Sequence, residues 1–175
     1  MPAAAPAPTW RREPYRIFFP LGVLLAWAGV LHWLLLATGV IGEYRSTFHA
    51  TTQIQGFMTC FAVGFLFTFI PRRTGLAPPA PWQMVVAIAA PIGVSASAWL
   101  ERWVLAQAFW LVLVAMVIGF ALPRFLKPAP GRHVPTSMVW VPLSLALSAA
   151  ASILTGVATG LIAGARLLRG EVSDS

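Results

Sequence analysis

From Ile17 to Ile41 the chain carries only two polar side chains, His32 and Thr38. Four further apolar runs follow, approximately Phe48–Ile70, Trp82–Leu100, Trp103–Leu122 and Ser137–Ala165. Each is about 20 residues long, enough for a helix rising about 1.5 Å per residue to cross a hydrocarbon layer about 30 Å thick. The joins GEYRST, PRRTGLAPPAP, the Glu101–Arg102 turn and PRFLKPAPGRHVPT collect the prolines, glycines and charges that break helices. The pattern predicts an all-α integral membrane protein, a bundle of about five transmembrane helices over residues 15–166. Spans three and four meet at a turn so tight that they form an antiparallel hairpin. Pro20, Pro91 and Pro142 fall inside or near the ends of spans, where neighbouring helices satisfy the carbonyls they free.

Composition changes little in that picture. Of 175 residues, 58% are hydrophobic and 10% charged, and mean hydropathy is +0.78. A soluble domain carries about 25% charged residues. The N-terminal MPAAAPAPTWRREP is Pro/Ala-rich and then basic, which is wrong for a cleaved signal peptide. Residues 1–14 read as a disordered and interfacial tail, and residues 167–175 as a polar C-terminal tail. A net charge of +7 would suggest nucleic acid in a soluble protein, but here its distribution between loops explains it. Eight Lys or Arg fall on one side of a five-span model: Arg11, Arg12, Arg16, Arg72, Arg73, Arg124, Lys127 and Arg132. Four fall on the other: Arg45, Arg102, Arg166 and Arg169. The positive-inside rule then places the N-terminus in the cytoplasm and the C-terminus outside.

Candidate chemistry sits in the second span, which opens FHATTQIQGFMTC. Polar groups in hydrocarbon are costly unless they find partners or ligands. On a helix His49, Gln53, Gly56, Cys60 and Gly64 share a face, while Ile54, Phe57, Phe61, Phe65 and Leu66 crowd the rest. That face is expected to turn inward, with the aromatics toward lipid. His32 on the first span is a possible partner in the same outer half of the bundle. Neutral imidazole ligates metals and serves as an axial ligand to haem iron, and a cleft rimmed by His49, Gln53 and Gly56 would admit a flat macrocycle. The bland alternative is that these side chains only hydrogen-bond between helices. Cys60 reads as a small buried hydrophobe.

The five acids, Glu13, Glu43, Glu101, Glu171 and Asp174, all lie in loops or tails. No carboxylate pair, intramembrane proton relay, phosphate loop, CxxC or HExxH is present, so the sequence points away from an enzyme and from a proton-coupled pump. In the fifth span Ser144, Ser148, Ser152, Gly156, Gly160 and Gly164 recur every four residues. Such small-residue grooves let a second helix approach closely, either another span of the same chain or a homodimer partner.

EPYRIFFPLGVLLAWAGVLHWLL and FHATTQIQGFMTCFAVGFLFTFIPRRTG resemble the opening of the NnrS family, bacterial membrane proteins linked to the nitric oxide response and reported to contain haem and copper. Pro14, Tyr15, Arg16, Phe18 and Phe19 match a PYRPFF-type start. Phe48, His49 and Ala50 match the start of a WHAHE-type element; Gly56, Phe57, Gly64 and Phe65 match its body, and Pro71, Thr74 and Gly75 its end. Thr51 and Thr52 stand where that element carries its second histidine and its acid. The resemblance covers about residues 13 to 76, and typical members are roughly twice as long, so the chain resembles their N-terminal half. It adds to the reading of a cofactor site at His49, with Gln53 and His32 near it, and ligand number favours haem over copper, since one or two imidazoles suffice for haem while copper sites usually take three protein ligands. A shortened chain that dimerises would rebuild a full-size bundle. Two other readings stay open. One is a cofactor-free structural or accessory subunit assembling through the fifth span, with itself or with a larger membrane complex. The other is a small-molecule permease.

Overall fold

The computed structural model describes residues 7–133 and 135–168, and every element in them is helical. A single turn, α1 (Thr9–Arg12), leads into α2 (Tyr15–Ala37). Then come α3 (Ser46–Thr74), α4 (Pro81–Trp99) and α5 (Trp103–Leu126). A 3₁₀ turn, Thr136–Val139, precedes α6 (Trp140–Leu168). Helices α2 to α5 are each long and apolar enough to cross a membrane, and the described apolar stretch of α6, Trp140–Leu154, is shorter. The all-α bundle expected from the hydropathy pattern is what the chain forms. Residues 1–6 of the predicted tail and 169–175 at the other end lie outside the described residues.

Local chemistry sets the helix ends. α2 stops at Ala37, short of the apolar limit at Ile41, because Gly39 takes φ 72° and the Thr38 hydroxyl donates to the Leu34 carbonyl at 2.8 Å. The α4–α5 hairpin turns through Glu101 at φ 58°, and the Arg102 N–H returns to the Ser97 carbonyl at 2.8 Å. α3 ends at Gly75, φ 71°, where the Ala129 N–H donates to the Thr74 carbonyl at 2.9 Å and ties the α5–α6 loop to the end of α3.

The core lies between α3, α4 and α5: Phe67, Ile70, Met84, Val94, Leu113 and Phe120 are all but sealed. α6 packs on it through Val141, Leu145 and Ala149. α2 is peripheral. Within its most apolar stretch 17% of residues are buried, against 44% in each of α3, α4 and α5. Its buried residues Phe18, Gly22, Leu25, Gly29 and His32 follow 4-3-4-3 spacing, one seam laid against α3.

Basic side chains collect at the end where α2 starts. Glu13 pairs with Arg16 and with Arg72 (3.4 Å), the Arg11 Nε donates to the Pro79 carbonyl at 2.8 Å, and Arg124 donates to the Ala77 carbonyl at 3.2 Å. At the opposite end Arg45 meets Glu101 at 3.6 Å, donates to the Trp99 carbonyl, and lies 5.1 Å from the centre of the Trp99 ring.

Within the chain the small-residue stripe of α6 is packed over only part of its described length. Ser144 is exposed, Ser148 half-buried, Ser152 8% exposed, and Gly156 exposed with open space where a Cβ would stand. A step of four residues overshoots a full turn by about 40°, so the stripe spirals from the outer surface through the packed face and out again. Packing inside the chain therefore accounts for Ser148 and Ser152. The surroundings of Gly160 and Gly164 lie outside the described residues.

Candidate functional site

The predicted face of α3 is real, and what it meets is the seam of α2. Gly22 and Gly29 carry no side chain, so α3 comes close enough to touch α2 backbone. A Cβ on Gly29 would sit 2.5 Å from Gln53 Nε2, and one on Gly22 would sit 2.8 Å from the Phe61 ring. Gly64 in turn admits Phe18, whose Cβ lies 2.8 Å from where a Gly64 Cβ would be. Close approach of this kind uncovers carbonyls whose second lone pair can accept a further hydrogen bond. His49 Nδ1 lies 2.9 Å from the Gly29 carbonyl and Gln53 Nε2 donates to the Ala26 carbonyl at 2.9 Å.

The His49 contact fixes its tautomer. A carbonyl only accepts, so Nδ1 carries the proton and Nε2 keeps its lone pair. Metal-bound histidines are held this way, with the second nitrogen donating to a carbonyl or carboxylate. The ring is half-buried and meets Trp33 edge-on at 6.1 Å between centroids.

His32 is placed differently. It is fully buried, ringed by Tyr44, Phe48 and Trp99 at 5.2, 5.7 and 6.0 Å, and its Nε2 accepts the Arg45 backbone N–H at 3.0 Å. That leaves the proton on Nδ1, which is enclosed without a partner. His32 thus anchors the α2–α3 loop, and its lone pair is already used. His49, on α3, thus bonds to α2, whereas His32, on α2, bonds to the α2–α3 loop.

The α3 helix widens just past His49. Thr52–Met58 is π-helical, and the Thr59 hydroxyl donates to the Ile54 carbonyl five residues back at 3.0 Å. π segments are rare and are frequent at functional sites. Here the extra residue per turn carries Gln55 toward α5, where it forms a reciprocal amide pair with Gln107 at 3.3 and 3.4 Å. Sequence reasoning missed this pair. The signal was the isolated Gln107 in an otherwise apolar span.

The cleft expected at Gly56 is closed. A Cβ there would meet Ser95 Oγ at 2.9 Å and Leu25 Cδ1 at 3.5 Å, so α4 and α2 already fill the place of a macrocycle. Of the side chains away from that face, Leu66 is 7% exposed and belongs to the core, whereas the aromatic Phe65 is 50% exposed. Among the described residues no three His, Cys, Asp or Glu side chains converge on a metal position. Of the donors on this face, the His49 imidazole is of the type that serves as a ligand to metals and to haem iron.

Four long apolar helices, a polar α2–α3 seam inside them and a basic end define a multi-pass α-helical membrane protein. Residues 9–170 match the NnrS protein family, and the chain belongs to that family. No curated protein and no solved structure matches it.

Proposed function

We propose that this chain is a haem-binding member of its family, with His49 as the axial ligand, serving the nitric oxide response in the bacterial inner membrane. The observation that carries the reading is the Nδ1 contact to the Gly29 carbonyl, which leaves Nε2 as a pinned, half-buried donor. Gln53, bonded to Ala26 one helical turn on, holds α2 in register and so positions His49 instead of ligating. With the Gly56 position filled, a macrocycle held by His49 would lie on the outer side of the α2–α3 seam. Exposed Trp27 and Trp33 there offer apolar surface, and a groove of about 210 Å³ runs along Ala26, Trp27 and Val30. Bound iron would supply a coordination position for a diatomic ligand, and the protein would supply the imidazole and its orientation. The basic end gathered around Glu13 would face the cytoplasm.

The test is an optical spectrum of purified protein, oxidised and dithionite-reduced, from cells supplied with a haem precursor. A Soret band absent from His49→Ala supports the reading, and a featureless wild-type spectrum ends it. A second reading rests on the filled Gly56 position: a cofactor-free accessory subunit in which His49 and Gln53 only hold α2 to α3. It predicts no band in either protein and loss of folded yield in His49→Ala.

A further inference from the structure

Where α2 begins beside the last turn of α3, two openings share one side chain. A pocket of about 270 Å³ is lined by Arg12, Glu13 and Arg72, with Pro71, Leu76 and Pro78 between them. A groove of about 210 Å³ is lined by Tyr15, Phe19, Phe65, Thr68, Phe69 and again Arg72, so the two adjoin at that residue. The pocket is cationic. The Glu13 carboxylate is already met by Arg16 and by Arg72, the latter at 3.4 Å. The exposed Arg12 guanidinium makes no hydrogen bond or ion pair among the described residues. Three arginines against one carboxylate leave two positive charges uncompensated. The Arg72 side chain is 59% exposed, so its pair with Glu13 is weak, and its fork of N–H donors can serve an anion as well.

The groove is of the opposite character. The Thr68 hydroxyl donates to the Gly64 carbonyl at 2.8 Å and accepts the Tyr15 N–H at 3.3 Å, so it has no proton to spare. The remaining walls are aromatic, with Phe65 and Phe69 stacked at 5.1 Å and Phe65 50% exposed. From Arg72 to Phe65 is about 10 Å along α3, at about 1.5 Å per residue. The groove thus descends from the headgroup level, where Trp10, Tyr15 and the arginines sit, into hydrocarbon. A soluble anion would use the pocket and leave the groove empty, and a hydrocarbon would do the reverse. A phospholipid uses both, and the excess positive charge selects a headgroup that is negative overall. We propose that the paired openings bind one anionic phospholipid of the phosphatidylglycerol type. Its phosphate lies between Arg12 and Arg72, and an acyl chain runs along Phe69 and Phe65. The site depends neither on haem at His49 nor on which way the chain crosses the bilayer.

The test titrates the full chain in detergent with defined lipids and reads bound lipid by native mass spectrometry, with far-UV circular dichroism to show that each variant folds. The expected result is one phosphatidylglycerol held about tenfold more tightly than phosphatidylethanolamine of the same chains, whose headgroup has no net charge. Arg12→Gln changes an exposed side chain with no partner to lose, and should weaken phosphatidylglycerol about fivefold. Adding Arg72→Gln should bring it to the phosphatidylethanolamine level. Arg102→Gln removes the same charge from an exposed position at the opposite end of the bundle, and should change nothing. Phe65→Ala should weaken both lipids alike, because it touches the chain and not the headgroup. The proposal is overturned by equal affinity for the two lipids, by Arg12→Gln or Phe65→Ala without effect, or by an equal loss in Arg102→Gln. Inorganic phosphate that displaces the lipid at matching concentration would also overturn it, in favour of a soluble anion.

Discussion

Gly64→Ala and Gly29→Ala change the same residue type on the same α2–α3 seam, yet one is expected to destabilise the fold and the other to leave it nearly unchanged. At Gly64 the new methyl would stand 2.8 Å from Phe18 Cβ and 3.3 Å from Tyr15 Cα. Neither atom is the end of a flexible side chain, and Phe18 is fully buried, so α2 itself has to move. Overpacking of this kind costs about 1–3 kcal/mol, offset by about 1 kcal/mol from replacing a helical glycine with alanine. At Gly29 the obstacle is Gln53 Nε2 at 2.5 Å, an atom that can swing aside. The loss is then its bond to the Ala26 carbonyl, about 0.6 kcal/mol for an interhelical bond in a membrane. That roughly cancels the helix gain. Gly64→Ala should therefore destabilise by about 1 kcal/mol, and Gly29→Ala should lie within about 0.5 kcal/mol of wild type. Reversible unfolding in mixed micelles, followed by far-UV circular dichroism, measures both. Equal effects, or the larger loss at Gly29, would refute the seam geometry.

Replacing either Gln55 or Gln107 by Leu strands the other amide and should cost about 1–2 kcal/mol in the same unfolding assay, while the double replacement recovers most of it. On α6, Ser152→Leu overfills a packed position and should destabilise by about 1–3 kcal/mol, whereas Gly156→Leu, with open space around it, should stabilise by up to about 1 kcal/mol through helix propensity. Thermal unfolding of the two variants side by side checks this.

Helix number, the α4–α5 hairpin and the inward face of α3 were legible because hydropathy and residue spacing report directly on them. Three features were not. The α2 seam carries glycines where side-chain patterns are silent, and it becomes visible only through 4-3-4-3 spacing from Phe18 to His32. The partners of His49 and Gln53 are backbone carbonyls, present at every position and therefore unmarked in any sequence. The π segment Thr52–Met58 shifts the register of α3, so Gln55 reaches a residue 52 positions away while Gly56 is filled instead of open. The α6 stripe shows the reverse. Its periodicity was plain, but the row drifts about 40° at each step, and within the chain it reaches the packed face at Ser148 and Ser152.

Coordination of haem iron by His49 Nε2, as proposed, is tested most directly by cavity complementation. His49→Gly removes the imidazole and leaves its space, so free imidazole added to the haem-loaded variant can take its place. Coordination by His49 predicts a Soret band in the wild type, its loss in His49→Gly, and its return at the wild-type position with imidazole. A band that persists in His49→Gly without imidazole, or a wild type with no band, would contradict it.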